Sequence, residues 1–127
     1  MSDVIVGLDH VQVAAPRGCE KDARRFYGEL LGLDELAKPP RLAARGGAWF
    51  RVGAHELHVG VADEFRPAAK AHPALRVATV AELEGLAGRL EARGIAVTWA
   101  DPEEIPGTTR FHVHDPWGNR LELVASS

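Results

Sequence analysis

Cysteine is nearly missing from this chain. A single one, Cys19, among 127 residues rules out an intrachain disulfide framework and fits a reducing compartment. A basic surplus is missing too: 15 Lys and Arg stand against 18 Asp and Glu, for a net charge of −3. With no excess cation to displace phosphate counterions, nucleic acid is not the expected partner. No apolar run approaches the roughly 20 residues of a membrane helix. The opening MSDVIVGLDHVQ carries acids where a secretion signal needs a basic stretch and then an apolar one. These absences set the expectation of a soluble, cytoplasmic protein that engages neither membrane nor nucleic acid.

What is present is ordinary for a globular protein. Hydrophobic residues make up 46% and charged residues 26%, so disorder and low complexity fall away. A chain of this size buries roughly two-thirds of its unfolded surface, enough for a core without cross-links. Leu8 to Ala14 alternates in polarity up to Pro16 and reads as a strand. Cys19 to Leu31 reads as a helix, with Ala23, Phe26, Tyr27, Leu30 and Leu31 on one face and Gly32 as its stop. Short strands are expected over Asp34–Leu36, Ala48–Val52 and Glu56–Val61, with a Pro39–Gly47 loop before the second.

The same order then recurs. Pro73–Ala78 reads as a strand. Thr79 and Glu82 form a capping box, Leu83, Leu86, Ala87 and Leu90 give a helix its stripe, and Gly94 ends it. Strands follow at Ala96–Trp99, Thr109–His114 and Arg120–Val124, the last two joined by the turn Asp115-Pro116-Trp117-Gly118-Asn119. Gly32 to Gly94, His10 to His72 and Phe50 to His112 are each 62 positions apart, and His58 to Glu122 is 64. The chain therefore reads as two β-α-β-β-β modules, 1–63 and 64–127.

Strand side chains alternate between faces. Val11, Val13, Leu57, Val59, Phe111, Val113, Leu121 and Leu123 fall on apolar faces that the helices can cover. By the same count Trp49 is expected on the helix side and Phe50 on the open one. The other faces hold His10, His58, His72 and Glu122 at repeat-related places. A solvated face and stray surface histidines are common, so any one of these alone argues for nothing. Four together argue for one divalent metal, because two His and a carboxylate on one side of an ion leave positions open for substrate. His55 is expected at an exposed strand edge.

At these residues the chain resembles the vicinal oxygen chelate superfamily, which includes glyoxalase I, bleomycin- and fosfomycin-resistance proteins and ring-cleaving dioxygenases. The resemblance rests on Leu8-Asp9-His10-Val11, on Phe26-Tyr27 with Leu30-Leu31-Gly32-Leu33, on His72 to Val77, and on Asp115 to Leu123. It implies an α+β fold in one domain, 1–127, whose two βαβββ modules form a curved, mostly antiparallel eight-stranded cup with helices on the outer face. The family's first ligand falls on His10, its second-module His on His72, and its last carboxylate on Glu122. On the fourth strand, where glyoxalase-like members commonly carry Glu or Gln, this chain departs with His58. The cofactor expected is a divalent ion: Fe, Zn, Ni, Mn or Co. The resemblance also implies a homodimer, with the cup closed within one chain or by exchange between chains.

The implied activity is that of a lyase or isomerase of a small metabolite chelated through two neighbouring oxygens. Glu122 is the candidate base, and Gln12, Phe50, Arg76, Arg110, His112 and His114 are candidate substrate contacts by strand parity. Arg110 or Arg76 would hold a substrate carboxylate. The competing expectations are an Fe(II) extradiol-type dioxygenase and a non-enzymatic, bleomycin-resistance-like binder.

Overall fold

The structure is a computed structural model, and it describes residues 4–127. Two four-stranded sheets carry the α+β architecture, with strand orders β1-β4-β3-β2 and β5-β8-β7-β6. The first is built from β1 (His10–Ala15), β2 (Glu35–Leu36), β3 (Ala48–Val52) and β4 (His55–Val61), and the second from β5 (Ala74–Arg76), β6 (Thr98–Trp99), β7 (Thr108–His114) and β8 (Arg120–Ser126). Each sheet is mixed: β1 runs parallel to β4 and β5 to β8, and the other ladders are antiparallel. No ladder among the described residues joins the two sheets, so each of β1 and β5 ends its own sheet.

The helices form where capping and periodicity place them. Helix α3 (Val80–Ala92) starts at Thr79, whose hydroxyl accepts the Glu82 backbone N–H at 3.1 Å. It buries Leu83, Ala87 and Leu90 and stops at Gly94, which takes φ +80°. The first helix, α1 (Glu20–Ala23), widens into a π-helical segment, Arg24–Leu30. The wider turn shows in Leu31 N–H donating five residues back to Phe26 at 2.9 Å. Within the expected loop lies a further single turn, α2 (Pro40–Ala43), opened by proline at its first position. No helix among the described residues is long and apolar enough to cross a membrane.

One continuous core gathers Val13, Phe26, Tyr27, Phe50, Leu57 and Val59 from the first half with Leu83, Leu90, Phe111, Val113, Leu121 and Leu123 from the second. Each such large apolar side chain contributes roughly 1.5–3 kcal/mol by burial. The halves are also pinned by polar bonds. Tyr27 donates its hydroxyl proton to Asp115 at 2.7 Å, and the Asn119 amide donates to Asp115 at 2.9 Å and to the Ala14 carbonyl at 2.7 Å. Asp115 further accepts the backbone N–H of Trp117 and Asn119. The polar letters of the Asp115–Asn119 turn are thus spent on holding β8 against the first half. Burial beside the Asp115 carboxylate pushes the Tyr27 phenol far above its usual range.

Register corrects two expectations. Trp49 pairs across the ladder with His58, and Phe50 with Leu57. In the second sheet His112 pairs with Glu122, and Val113 with Leu121. Trp49 therefore occupies the place of His112, and Phe50 that of Val113, one residue off the spacing expected from Phe50 and His112. Because side chains alternate, that single residue moves Trp49 to the open face and Phe50 to the core. Phe50 is fully buried with its ring 5.8 Å from Tyr27, so it is no substrate contact.

Candidate metal centre

Three side chains of the second half converge. Nε2 of His72 lies 3.3 Å from Oε1 of Glu122, and Nε2 of His112 lies 3.2 Å from the same oxygen. Among the described residues this is the one group of three potential ligands with all donor atoms within 4.8 Å of one another. Its construction is local. His112 and Glu122 are cross-strand partners on β7 and β8, and His72 precedes β5, which lies beside β8. The backbone N–H of Glu122 donates to the Pro73 carbonyl at 3.0 Å, which ties the carboxylate's strand to the residue after His72.

The donor chemistry fits a cation. Nδ1 of His72 sits 3.0 Å from the Lys70 carbonyl oxygen. That carbonyl only accepts, whereas a terminal nitrogen of Arg120, also 3.0 Å from Nδ1, only donates, so Nδ1 faces one partner of each kind. The anchoring of the distal ring nitrogen is also the usual support of a metal-binding histidine. Two bonds of about 2.1 Å at tetrahedral or octahedral angles place their ligand atoms about 3.0–3.4 Å apart, the spacing found here. The His-His-carboxylate set suits first-row divalent ions and leaves coordination positions open.

His10 and His58 stand apart from this group and stack on each other, with ring centroids 4.2 Å apart. Trp49 stacks on the other face of His58 at 4.0 Å and 3°. His58 is buried, and its Nε2 pairs with Glu56 at 2.8 Å. His10 is half-exposed, with Nδ1 on Asp9 at 2.8 Å, a bond that holds the Asp9 carboxyl below its ordinary range. The structure thus brings His72 and Glu122 together, adds His112, and keeps His10 with His58 as a second pair.

The remaining candidates scatter. Arg110 is nearly buried beside the centre, with its Nη1 3.4 Å from Glu122. Gln12 is exposed and shares a cleft with His72 and Arg120. Arg76 is exposed on the end strand β5. His114 is exposed at the end of β7 and lines a separate cleft with Asp22, Arg25, Phe26 and Leu30. His55 is exposed at the start of β4. Trp99 and Arg120 line the cleft of about 390 Å³ over the centre, and parity arguments had singled out neither. The signal for Arg120 was its place two residues before Glu122, on the same face.

The family model for the glyoxalase/bleomycin resistance protein/dioxygenase superfamily matches residues 7–123. The chain belongs to that superfamily. It is 45% identical to a glyoxalase family protein from Bacillus anthracis, each chain covered over 100% of its length, with a TM-score of 0.92. Two further structures share the fold. Lactoylglutathione lyase from Agrobacterium tumefaciens is 21% identical with a TM-score of 0.73, covering 97% of this chain and 96% of that one. The fosfomycin resistance protein FosX from Listeria monocytogenes is 16% identical with a TM-score of 0.74, covering 98% and 96%. No curated protein sequence matches significantly.

Proposed function

We propose that this protein is a divalent-metal-dependent lyase or isomerase acting on a small metabolite that offers two neighbouring oxygens to the metal. The observation that carries the reading is the convergence of His72 Nε2 and His112 Nε2 on one oxygen of the Glu122 carboxylate. A divalent ion held by these residues supplies Lewis acidity, stabilising negative charge on a substrate oxygen. Glu122 is the base: its side chain is 12% exposed, so a proton taken beside a carbonyl moves to a group shielded from water. Arg110 holds that carboxylate in place by pairing with Oε1. Gln12 shares a cleft with His72 and Arg120, and Arg76, exposed on the end strand β5, is proposed to approach from there.

The centre is completed by a second copy of the domain, 1–127, which brings His10 and His58 of its module 1–63 to His72 and Glu122 of module 64–127. Two features support this. The strands β1 and β5 have unpaired outer edges. The segment before His10 exposes Val4, Ile5, Val6 and Leu8, at 92, 86, 89 and 71%, an apolar run that asks for a cover. The site of action proposed is the cytoplasm.

Assaying thiol adducts of small α-dicarbonyls with Zn, Ni, Co or Mn restored tests this reading. Metal-dependent turnover abolished in Glu122→Gln is the expected result, and no turnover with any of these ions would overturn it. The His-His-carboxylate set also favours a second reading, an Fe(II) dioxygenase. Oxygen uptake by Fe(II)-loaded protein with a catechol would establish that one instead.

A further inference from the structure

Resting on the metal-centre reading, the surroundings of the same site name a substrate class. Arg120 lies two residues before Glu122 on β8 and shares its face. Its Nε is buried and has no hydrogen-bond partner among the described residues. One terminal nitrogen reaches Nδ1 of His72 at 3.0 Å, but that nitrogen already lies 3.0 Å from the Lys70 carbonyl. With the proton on Nδ1, two donors face each other, and Arg120 has no acceptor there. The tautomer that frees His72 Nε2 for a cation is therefore the one that strands Arg120. A buried donor left unpaired is costly, and folded proteins rarely keep one without a use.

Arg110 stands on the other side. Its side chain is 13% exposed, and among the described residues its one ion-pair partner besides Glu122 is Glu104, at 3.7 Å and 60% exposed, a pair that solvent screens. Two guanidinium groups and a divalent ion would then face the single inner carboxylate of Glu122. In the first sheet the place of Arg120 is taken by Glu56, which is satisfied by His58. Asp101 and Glu104 also line this cleft but are exposed at its rim, and Trp99 offers it an apolar wall.

We propose that Arg120, with Arg110, forms a carboxylate subsite, and that the substrate is a small 2-oxo or 2-hydroxy acid. One carboxylate oxygen and the neighbouring oxygen face the metal, and the second carboxylate oxygen accepts from Arg120. The pair of oxygens that the metal needs and the anion that the arginines need are then one functional group.

Pyruvate and its uncharged amide, pyruvamide, separate the terms. Each is titrated into Co(II)-loaded protein while the visible absorption bands are followed. Arg120→Met is expected to weaken pyruvate by about tenfold or more, the loss of one charge-assisted hydrogen bond. Pyruvamide and Co(II) affinities should stay within about twofold, and Arg120→Lys should recover part of the loss. Arg120→Gln replaces Arg120→Met if the latter fails to fold. Unchanged pyruvate affinity in the folded variant, or equal affinity of the two ligands for the wild type, overturns the proposal. If the wild type takes up no Co(II), the metal reading fails on its own. Calorimetry of pyruvate with metal-free protein then decides the subsite: Arg120-dependent binding supports it and no binding overturns it.

Discussion

Glu122 and Tyr27 show how single side chains divide between chemistry and structure. Glu122 gathers two imidazoles and a guanidinium on one oxygen, and nothing in the core depends on it. Glu122→Gln should therefore lower metal affinity by about tenfold or more while the melting temperature moves little. Tyr27 is the opposite case: it is fully buried and donates to Asp115 across the two halves. Tyr27→Phe should cost about 1–3 kcal/mol in denaturant unfolding, because the Asp115 carboxylate loses a donor it cannot replace. Glu20 gives a dependence on acidity. The Gly47 backbone N–H, at 2.6 Å, holds the Glu20 carboxyl below its ordinary value of 4.5. A lowered folded value means that the stabilisation is present above the unfolded value and lost as pH falls through the folded one. Glu20→Gln should thus be less stable than the wild type at pH 7, and the gap should close on titration below about pH 4. A gap that stays constant with pH would contradict the assignment.

At the scale of elements, helix α3 was legible because its start and stop are chemical. Thr79 accepts at one end and Gly94 turns left-handed at the other. Strand β3 was legible in extent but not in register. Its register is set by the segment ahead of it, where α2 and Gly46-Gly47 decide which residue enters the ladder first. Gly47 takes φ +86°, and a Cβ there would stand 2.1 Å from the Val59 carbonyl oxygen. Only glycine therefore lets the chain enter the β3–β4 ladder here, where Ala48 pairs with Val59 and Trp49 with His58. Gly47→Ala should destabilise the fold by about 2 kcal/mol or more, from left-handed strain and the clash together, read as a fall in melting temperature. The π-helical turn was invisible in the sequence, since apolar spacings of three and four residues do not distinguish a helix widened by one residue. Of the site, the parity of β7 placed His112 beside Glu122 but named it a substrate contact, and only the cross-strand ladder makes it a ligand candidate.

For the whole molecule, the doubled β-α-β-β-β order was legible because the elements recur in the same order and Gly32–Gly94 and His10–His72 share one offset. How the halves meet was not. The sequence marks which faces are apolar, while the relation of the two sheets is fixed by core shape and by the Tyr27–Asp115–Asn119 pin, whose partners lie far apart in the chain. The proposed exchange has its own test. Sedimentation velocity should give a dimer, and His10→Ala should weaken metal binding although His10 lies outside the His72–His112–Glu122 group. A monomer with undiminished affinity in His10→Ala would count against exchange and leave the inner triad standing. The His72–His112–Glu122 triad is proposed to hold the metal. Elemental analysis of freshly purified protein, beside His72→Ala and His112→Ala, tests it most directly. About one first-row divalent ion per chain is expected in the wild type and a loss in both variants; full occupancy in His72→Ala would show that the triad does not hold the metal.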